Sequence, residues 1–223
     1  LPISLLSVSS ISKTYDGSAD VTLTADKLTF FSKTAKATNI KLPDTALTFS
    51  DAQFTSKQAD GSYLPSPEVG NGKALSFTMT LTSNNYVFEG KSEGTTKVSD
   101  VFATDDVNRF TITKAAAPDF TKETALTIVN DCEKTYTVTL PALPTLETPK
   151  EYGAPTYELG DIKLNAGYYT SGAKVENGEL TLPIQKNDVE TTGSVGTVTV
   201  VIKSTNYEDI TLTVNVNATN KLV

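Results

Sequence analysis

Histidine and tryptophan are absent from the 223 residues, and cysteine and methionine occur once each, as Cys132 and Met79. Without histidine there is no Ser-His-Asp or Cys-His machinery and no histidine-bearing zinc site. A single cysteine permits neither an intrachain disulfide nor a thiolate metal cluster. With no imidazole to activate it, Cys132 reads as a small apolar core residue and not a nucleophile. Arg109 is the sole arginine, and 26 acidic against 19 basic residues give a net charge of −7. That balance argues against nucleic acid and anionic membrane surfaces, which need clustered Lys and Arg. No apolar run approaches the roughly 20 residues of a spanning helix, so membrane insertion is not expected of this chain. Leu1 to Leu6 are apolar but lack the basic start of a signal peptide. The chain is therefore expected to begin after a cleaved leader or at a fragment boundary.

What is present is a set of short motifs that occurs twice. Lys13-Thr14-Tyr15-Asp16-Gly17 precedes Phe77-Thr78-Met79-Thr80-Leu81-Thr82-Ser83-Asn84-Asn85-Tyr86, and Lys150-Glu151-Tyr152-Gly153-Ala154-Pro155 precedes Val198-Thr199-Val200-Val201-Ile202-Lys203-Ser204-Thr205-Asn206-Tyr207. The two ten-residue stretches align without a gap. A recurring unit of this kind points to tandem β modules, which serve as spacers or binding modules more often than as enzymes.

Alternation of β-branched or aromatic residues with polar ones predicts strands at Val21–Thr24, Ser76–Thr82, Phe110–Thr113, Thr135–Leu140, Thr197–Ile202 and Ile210–Val216. Asp16-Gly17, Asp60-Gly61, Asn71-Gly72, Glu89-Gly90, Gly160-Asp161, Asn177-Gly178 and Gly193-Ser194 read as turns, because Gly and Asn accept the positive φ that tight connections need. Helix is expected only as a turn or two, near Thr34–Asn39 or Asp100–Asn108. The tract Lys114-Ala115-Ala116-Ala117-Pro118 reads as a short stiff link. It sets a first module at 1–115 and a second at 118–223. The expected fold is all-β, two tandem Ig-like sandwiches or smaller β-grasp-like variants.

Lys13–Gly17, Val69-Gly70-Asn71-Gly72-Lys73, Ser83–Tyr86 and Phe110-Thr111-Ile112-Thr113-Lys114 resemble, in that order, the YDG domain of bacterial surface proteins. The second module, through Tyr152-Gly153-Ala154-Pro155-Thr156-Tyr157, Asn177-Gly178-Glu179-Leu180 and Ser204–Tyr207, is similar to the MBG-type bacterial Ig-like repeats of gut Firmicute surface proteins. The resemblance implies a secreted or wall-attached repeat unit with a role in adhesion or spacing. Freedom from disulfides agrees with a bacterial source.

The residues of these motifs have a structural reading. Tyr15 and Tyr152 cover the end of a core, the glycines make turns, and the asparagines before Tyr86 and Tyr207 cap turns through their amides. Four other features carry chemistry. Asp100, Asp105 and Asp106 are the densest acidic segment and the calcium candidates. Tyr168 and Tyr169 are the sugar-stacking candidates, since strand neighbours face opposite ways and one ring would be outside. Lys134 with Asn215 or Asn217 is the candidate pair for an intramolecular Lys-Asn bond. The acids at large are scattered through turns and mixed with lysine, the pattern of a solvated surface, although a two-carboxylate glycosidase needs no other residue type.

The expected function is non-enzymatic, needing no cofactor: a monomeric extracellular module pair acting as spacer, stalk or adhesion module toward a host or cell-surface glycan or protein. The alternative is an accessory glycan-binding region of a larger polysaccharide-degrading enzyme.

Overall fold

A computed structural model describes residues 1–120, 123–129, 133–187 and 192–219. The chain is all-β and divides into two compact units, one of Leu1–Lys114 with Thr148–Lys150, the other of Ala115–Glu147 with Glu151–Val223. Cys132 lies outside the described residues.

The first unit holds ten strands: β1 (Pro2–Val8), β2 (Ile11–Thr14), β3 (Leu28–Ser32), β4 (Ala37–Ile40), β5 (Leu47–Lys57), β6 (Tyr63–Pro65), β7 (Ala74–Leu81), β8 (Val87–Phe88), β9 (Lys97–Phe102) and β10 (Phe110–Thr113). They form a sheet ordered β4-β3-β1-β8, a sheet ordered β6-β5-β7-β9, and a pair β10-β2. The core is aromatic. Phe30, Phe54, Leu75 and Phe110 are fully buried, and the Phe110 ring lies 6.0 Å from those of both Phe54 and Phe102. Burying rings of this size supplies the main driving force for a unit rich in threonine and serine.

β2 and β10 run parallel, with Ile11 opposite Phe110 and Thr14 opposite Thr113. The other side of β10 is taken by the Val69–Lys73 segment, where Gly70 and Ile112 exchange both backbone hydrogen bonds at 3.0 Å. Three of the four motifs of the first module therefore meet around one strand. The fourth, Ser83–Tyr86, lies elsewhere, where the carbonyl of Asn85 accepts a 2.6 Å hydrogen bond from the Leu1 amino group.

The second unit holds β11 (Thr124–Ile128), β12 (Lys134–Thr139), β13 (Thr156–Leu164), β14 (Lys174–Glu176), β15 (Glu179–Ile184), β16 (Thr192–Lys203) and β17 (Ile210–Thr219). A four-stranded sheet, β11-β17-β16-β13, faces a three-stranded one, β12-β15-β14. Strict alternation builds the interior. Leu180, Leu182 and Ile184 of β15 share one core with Val198, Val200 and Ile202 of β16 and with Leu212, Val214 and Val216 of β17. Two sheets closing on a single apolar layer make a sandwich.

Three sequence expectations are corrected. Val21–Thr24 is not a strand: the Val21 amide donates to Ala52 at 3.0 Å, but only Asp20 makes a bridge, to Gln53, before a 3-10 turn starts at Ala25. The two 3-10 turns fall at Ala25–Lys27 and Asp44–Ala46; the stretches expected to turn do so without becoming helical, through Lys36 N–H to Lys33 O at 3.2 Å ahead of β4 and Arg109 N–H to Asp106 O at 3.1 Å beyond β9. Gly160-Asp161 and Gly193-Ser194 are not turns but lie inside β13 and β16, at or beside breaks in strand register. A Cβ on Gly160 would run into Thr199, and one on the nearby Gly196, at φ +131°, into the carbonyl of Lys163, whereas Gly193 has open space around it and is set apart by its φ of +113°. The Asn177-Gly178 turn stands as read, with φ of 50° and 77°, the paired positive values of a type I′ hairpin.

Candidate functional site

In the second unit the tyrosine-glycine motif and the asparagine-tyrosine motif form one assembly. The Asn206 amide donates to the Tyr152 carbonyl at 3.0 Å and the Thr205 amide to that of Gly153 at 2.9 Å. The Asn206 side chain, 1% exposed, donates its amide to the Glu151 carbonyl at 3.0 Å. The side chain thus ties together two segments distant in sequence. Tyr152 donates its hydroxyl to the Pro144 carbonyl at 2.8 Å and packs its ring 5.3 Å from that of Tyr207. Burial, with Tyr207 and Tyr157 alongside, pushes the Tyr152 phenol up. Tyr15, its counterpart in the first unit, is buried and donates its backbone amide to Thr113 at 2.9 Å. Asp16 accepts from Lys13 Nζ at 2.8 Å and from the Ser18 amide at 2.9 Å. Partial burial works to raise the Asp16 carboxyl, yet these two donors hold it below the ordinary range.

The candidates for chemistry are dispersed. Asp100 sits on β9 opposite Phe77 and accepts from the Val101 amide at 2.8 Å. Asp106 closes a turn by accepting from the Asn108 amide at 3.1 Å and from Arg109 Nε at 3.4 Å. Asp105 lines a separate cleft. Among the described residues, no three acidic or cysteine side chains come together as a metal-holding set.

Tyr168 and Tyr169 lie in the turn after β13, so strand alternation does not apply and no ring is turned outward by it. Tyr168 is 2% exposed. Tyr169 is half-buried against the same core, and its hydroxyl accepts from the Ala173 amide at 3.1 Å. Lys134 is exposed on β12, its Nζ 5.1 Å from the centre of the Tyr136 ring. Asn215 and Asn217 lie on β17, in the opposite sheet, at positions alternating with the buried Val214, Val216 and Ala218. Nothing in that placement joins them to Lys134.

Two concavities in the first unit were not legible in the sequence. A cleft of about 370 Å³ is lined by Lys57, Tyr63, Lys73, Thr104 and Asp105. Lys73 is 6% exposed and donates Nζ to the carbonyl and hydroxyl of Ser66 at 3.1 and 2.6 Å. Burial pushes its ammonium down, opposed by Glu68. The ammonium is thus held by Ser66 with the Glu68 carboxylate acting on its charge. The signal in the sequence was the lysine closing Val69–Lys73, which reads as part of a turn. The second concavity, about 550 Å³, lies beside the Ser83–Tyr86 loop and includes Lys91, Glu93 and Thr95.

No helix among the described residues is long and apolar enough to cross a membrane. No protein-family model matches the chain, and no curated protein matches it. Among solved structures, the human desmocollin-1 ectodomain aligns at a TM-score of 0.30 and 12% identity, over 99% of this chain and 41% of that one. The chain thus spans less than half the length of that ectodomain, and a likeness of this size bears on neither fold nor role.

Proposed function

We propose that the chain is a pair of non-enzymatic extracellular modules from a bacterial surface protein, acting as a spacer that holds other parts of that protein away from the cell. The observation that carries this reading is the use made of the motif residues. Tyr152, Gly153, Thr205 and Asn206 are engaged with one another through backbone bonds, and Tyr15, Gly70 and Ile112 likewise join distant segments. A motif whose buried members, Tyr15, Asn206 and Tyr207, are spent on holding distant segments together builds a module. The absence of histidine from the sequence removes the commonest general base.

The test is a binding screen of the whole chain against mucins, host and plant glycans and matrix proteins, with and without calcium. A folded monomer giving flat curves throughout is the expected result. A saturable hit lost on changing one loop would make the chain an adhesion module or an accessory glycan-binding region instead. The cleft lined by Lys57, Lys73 and Asp105 is the first place to seek such a hit, which Lys57→Met would then weaken.

A further inference from the structure

In each unit a strand near that unit's start, β2 behind β1 in the first and β11 in the second, lies parallel to the unit's last strand. In the first, β2 is in register with β10 over four residue pairs, extended at each end by Ile11 N–H to Arg109 O and Tyr15 N–H to Thr113 O, both 2.9 Å. In the second, β11 is in register with β17 over five pairs. Ahead of it, Ala115 makes a parallel bridge to Tyr207, with Ala115 N–H to Asn206 O at 2.9 Å and Glu208 N–H to Ala115 O at 2.8 Å.

The direction of pairing decides what tension does. In a parallel pair the entering end of the first strand and the leaving end of the last lie at opposite ends of the ladder. Pulling the termini apart slides one strand along the other, and every hydrogen bond is loaded at once. In an antiparallel pair whose two pulled ends lie side by side, the bonds open one at a time.

We infer that each unit is a tension-bearing clamp, closed in the first by β2 against β10 once β1 has peeled from its antiparallel partner β3 and in the second by β11 against β17, so that the chain resists force along its own length far better than force applied across a hairpin. Side chains reinforce the clamp of the first unit. Phe110 and Ile112 face the core, while the residues alternating with them reach across to the preceding segment. Arg109 Nη1 donates to Val8 O at 3.3 Å, Thr111 Oγ1 to Ser12 Oγ at 3.0 Å and Thr113 Oγ1 to Lys13 O at 3.4 Å. Asp106 steadies the arginine from its own turn. Arg109 is thus the entry rivet of the clamp. A load-bearing role gives the spacer reading its purpose and in that sense rests on it, but the strand geometry stands apart from any question of ligand.

The experiment is single-molecule stretching of the full chain by handles at its two ends. Two rupture events are expected, each releasing roughly 350–400 Å at the ~3.5 Å per residue of extended chain. The comparison is the variant Thr192→Cys, carrying Cys132→Ser so that the handle is unique, pulled between residue 192 and the C-terminus. Thr192 and Thr219 are partners at one end of the antiparallel β16-β17 ladder, so this geometry peels. The end-to-end rupture force of the second unit should exceed the peeling force several-fold. Thr111→Val should lower the rupture force of the first unit while its melting temperature moves little. Equal forces in the two geometries would overturn the clamp. A chain that binds nothing and ruptures at the peeling force loses the clamp and keeps the spacer reading; one that binds a glycan saturably and still ruptures at high force does the reverse.

Discussion

Asn206 grips the segment before Gly153 twice, through its backbone amide to Tyr152 O and through its side-chain amide to Glu151 O, both at 3.0 Å. Because the side chain is almost wholly buried, its loss removes a hydrogen bond made inside a closed site. Asn206→Leu should lower the stability of the second unit by about 1 kcal/mol or more, the net worth of a buried hydrogen bond. Asn206→Asp should do at least as much harm, since it removes the donor and sets a carboxylate against a carbonyl. Urea titration followed by tyrosine fluorescence measures both.

Tyr152→Phe keeps the ring against Tyr207 and deletes only the hydroxyl bond to Pro144. The expected loss near neutral pH is about 1 kcal/mol. The phenol of Tyr152 titrates above its ordinary range in the folded chain, so its contribution is complete below the unfolded value and falls away as pH rises through the unfolded and then the folded value. Thermal melts of the two proteins at pH 8 and above pH 10 should therefore converge at the higher pH.

Gly196→Ala and Gly61→Ala both place a side chain at positive φ, of 131° and 86°. They differ in surroundings: the new methyl at 196 meets the Lys163 carbonyl and Leu164 backbone, whereas nothing lies within 4 Å at 61. Gly61→Ala should show the conformational penalty alone, about 1 kcal/mol. Gly196→Ala should add a steric one and reach about 3 kcal/mol or more, as large single-site effects of this kind do. Chemical denaturation of each variant against the parent decides it.

Burial depresses the Lys73 ammonium below its ordinary value. Between the folded and unfolded values the unfolded chain binds more protons, so stability rises with pH there. Lys73→Met removes that rise. The difference in melting temperature between the variant and the parent, followed from pH 7 to pH 11, should therefore shift in favour of the parent as pH increases; a difference constant with pH would show that Lys73 does not titrate below its unfolded value.

Where the pattern of the sequence was local, it was legible. β7, β10, β12, β16 and β17 all follow from alternation, because a strand with one buried face must place apolar side chains at every second residue. The Asn177-Gly178 hairpin follows from the backbone angles those two residues accept. The errors arose where one residue type serves two purposes. Gly160 and Gly193 look like turn glycines, yet they sit in long strands at or beside breaks in register, Gly160 with Thr199 packed against it and Gly193 at positive φ in open space. The pairing of β2 with β10 joins residues about 100 apart, as Ile11 and Phe110 show, and no local pattern encodes a partner at that distance. Lys73 and its cleft were hidden for the same reason, since Ser66, Thr104 and Asp105 converge on it only through the fold. Tyr168 and Tyr169 look like neighbours on a strand, but β13 ends at Leu164 and the turn at Ala166-Gly167 takes both out of it.

The placement of Ala115 bears on how such a module could be moved from one protein to another. Composition alone assigns Ala115 to the first module and starts the second at Pro118, yet its amide and carbonyl are both taken up by the second unit, at Asn206 and Glu208. A recombination event or a cloning junction placed at Pro118 would deliver a module missing its first rung, next to the very asparagine that closes its far end. The heritable piece begins at least three residues earlier than the proline suggests, inside the alanine tract that looks like filler.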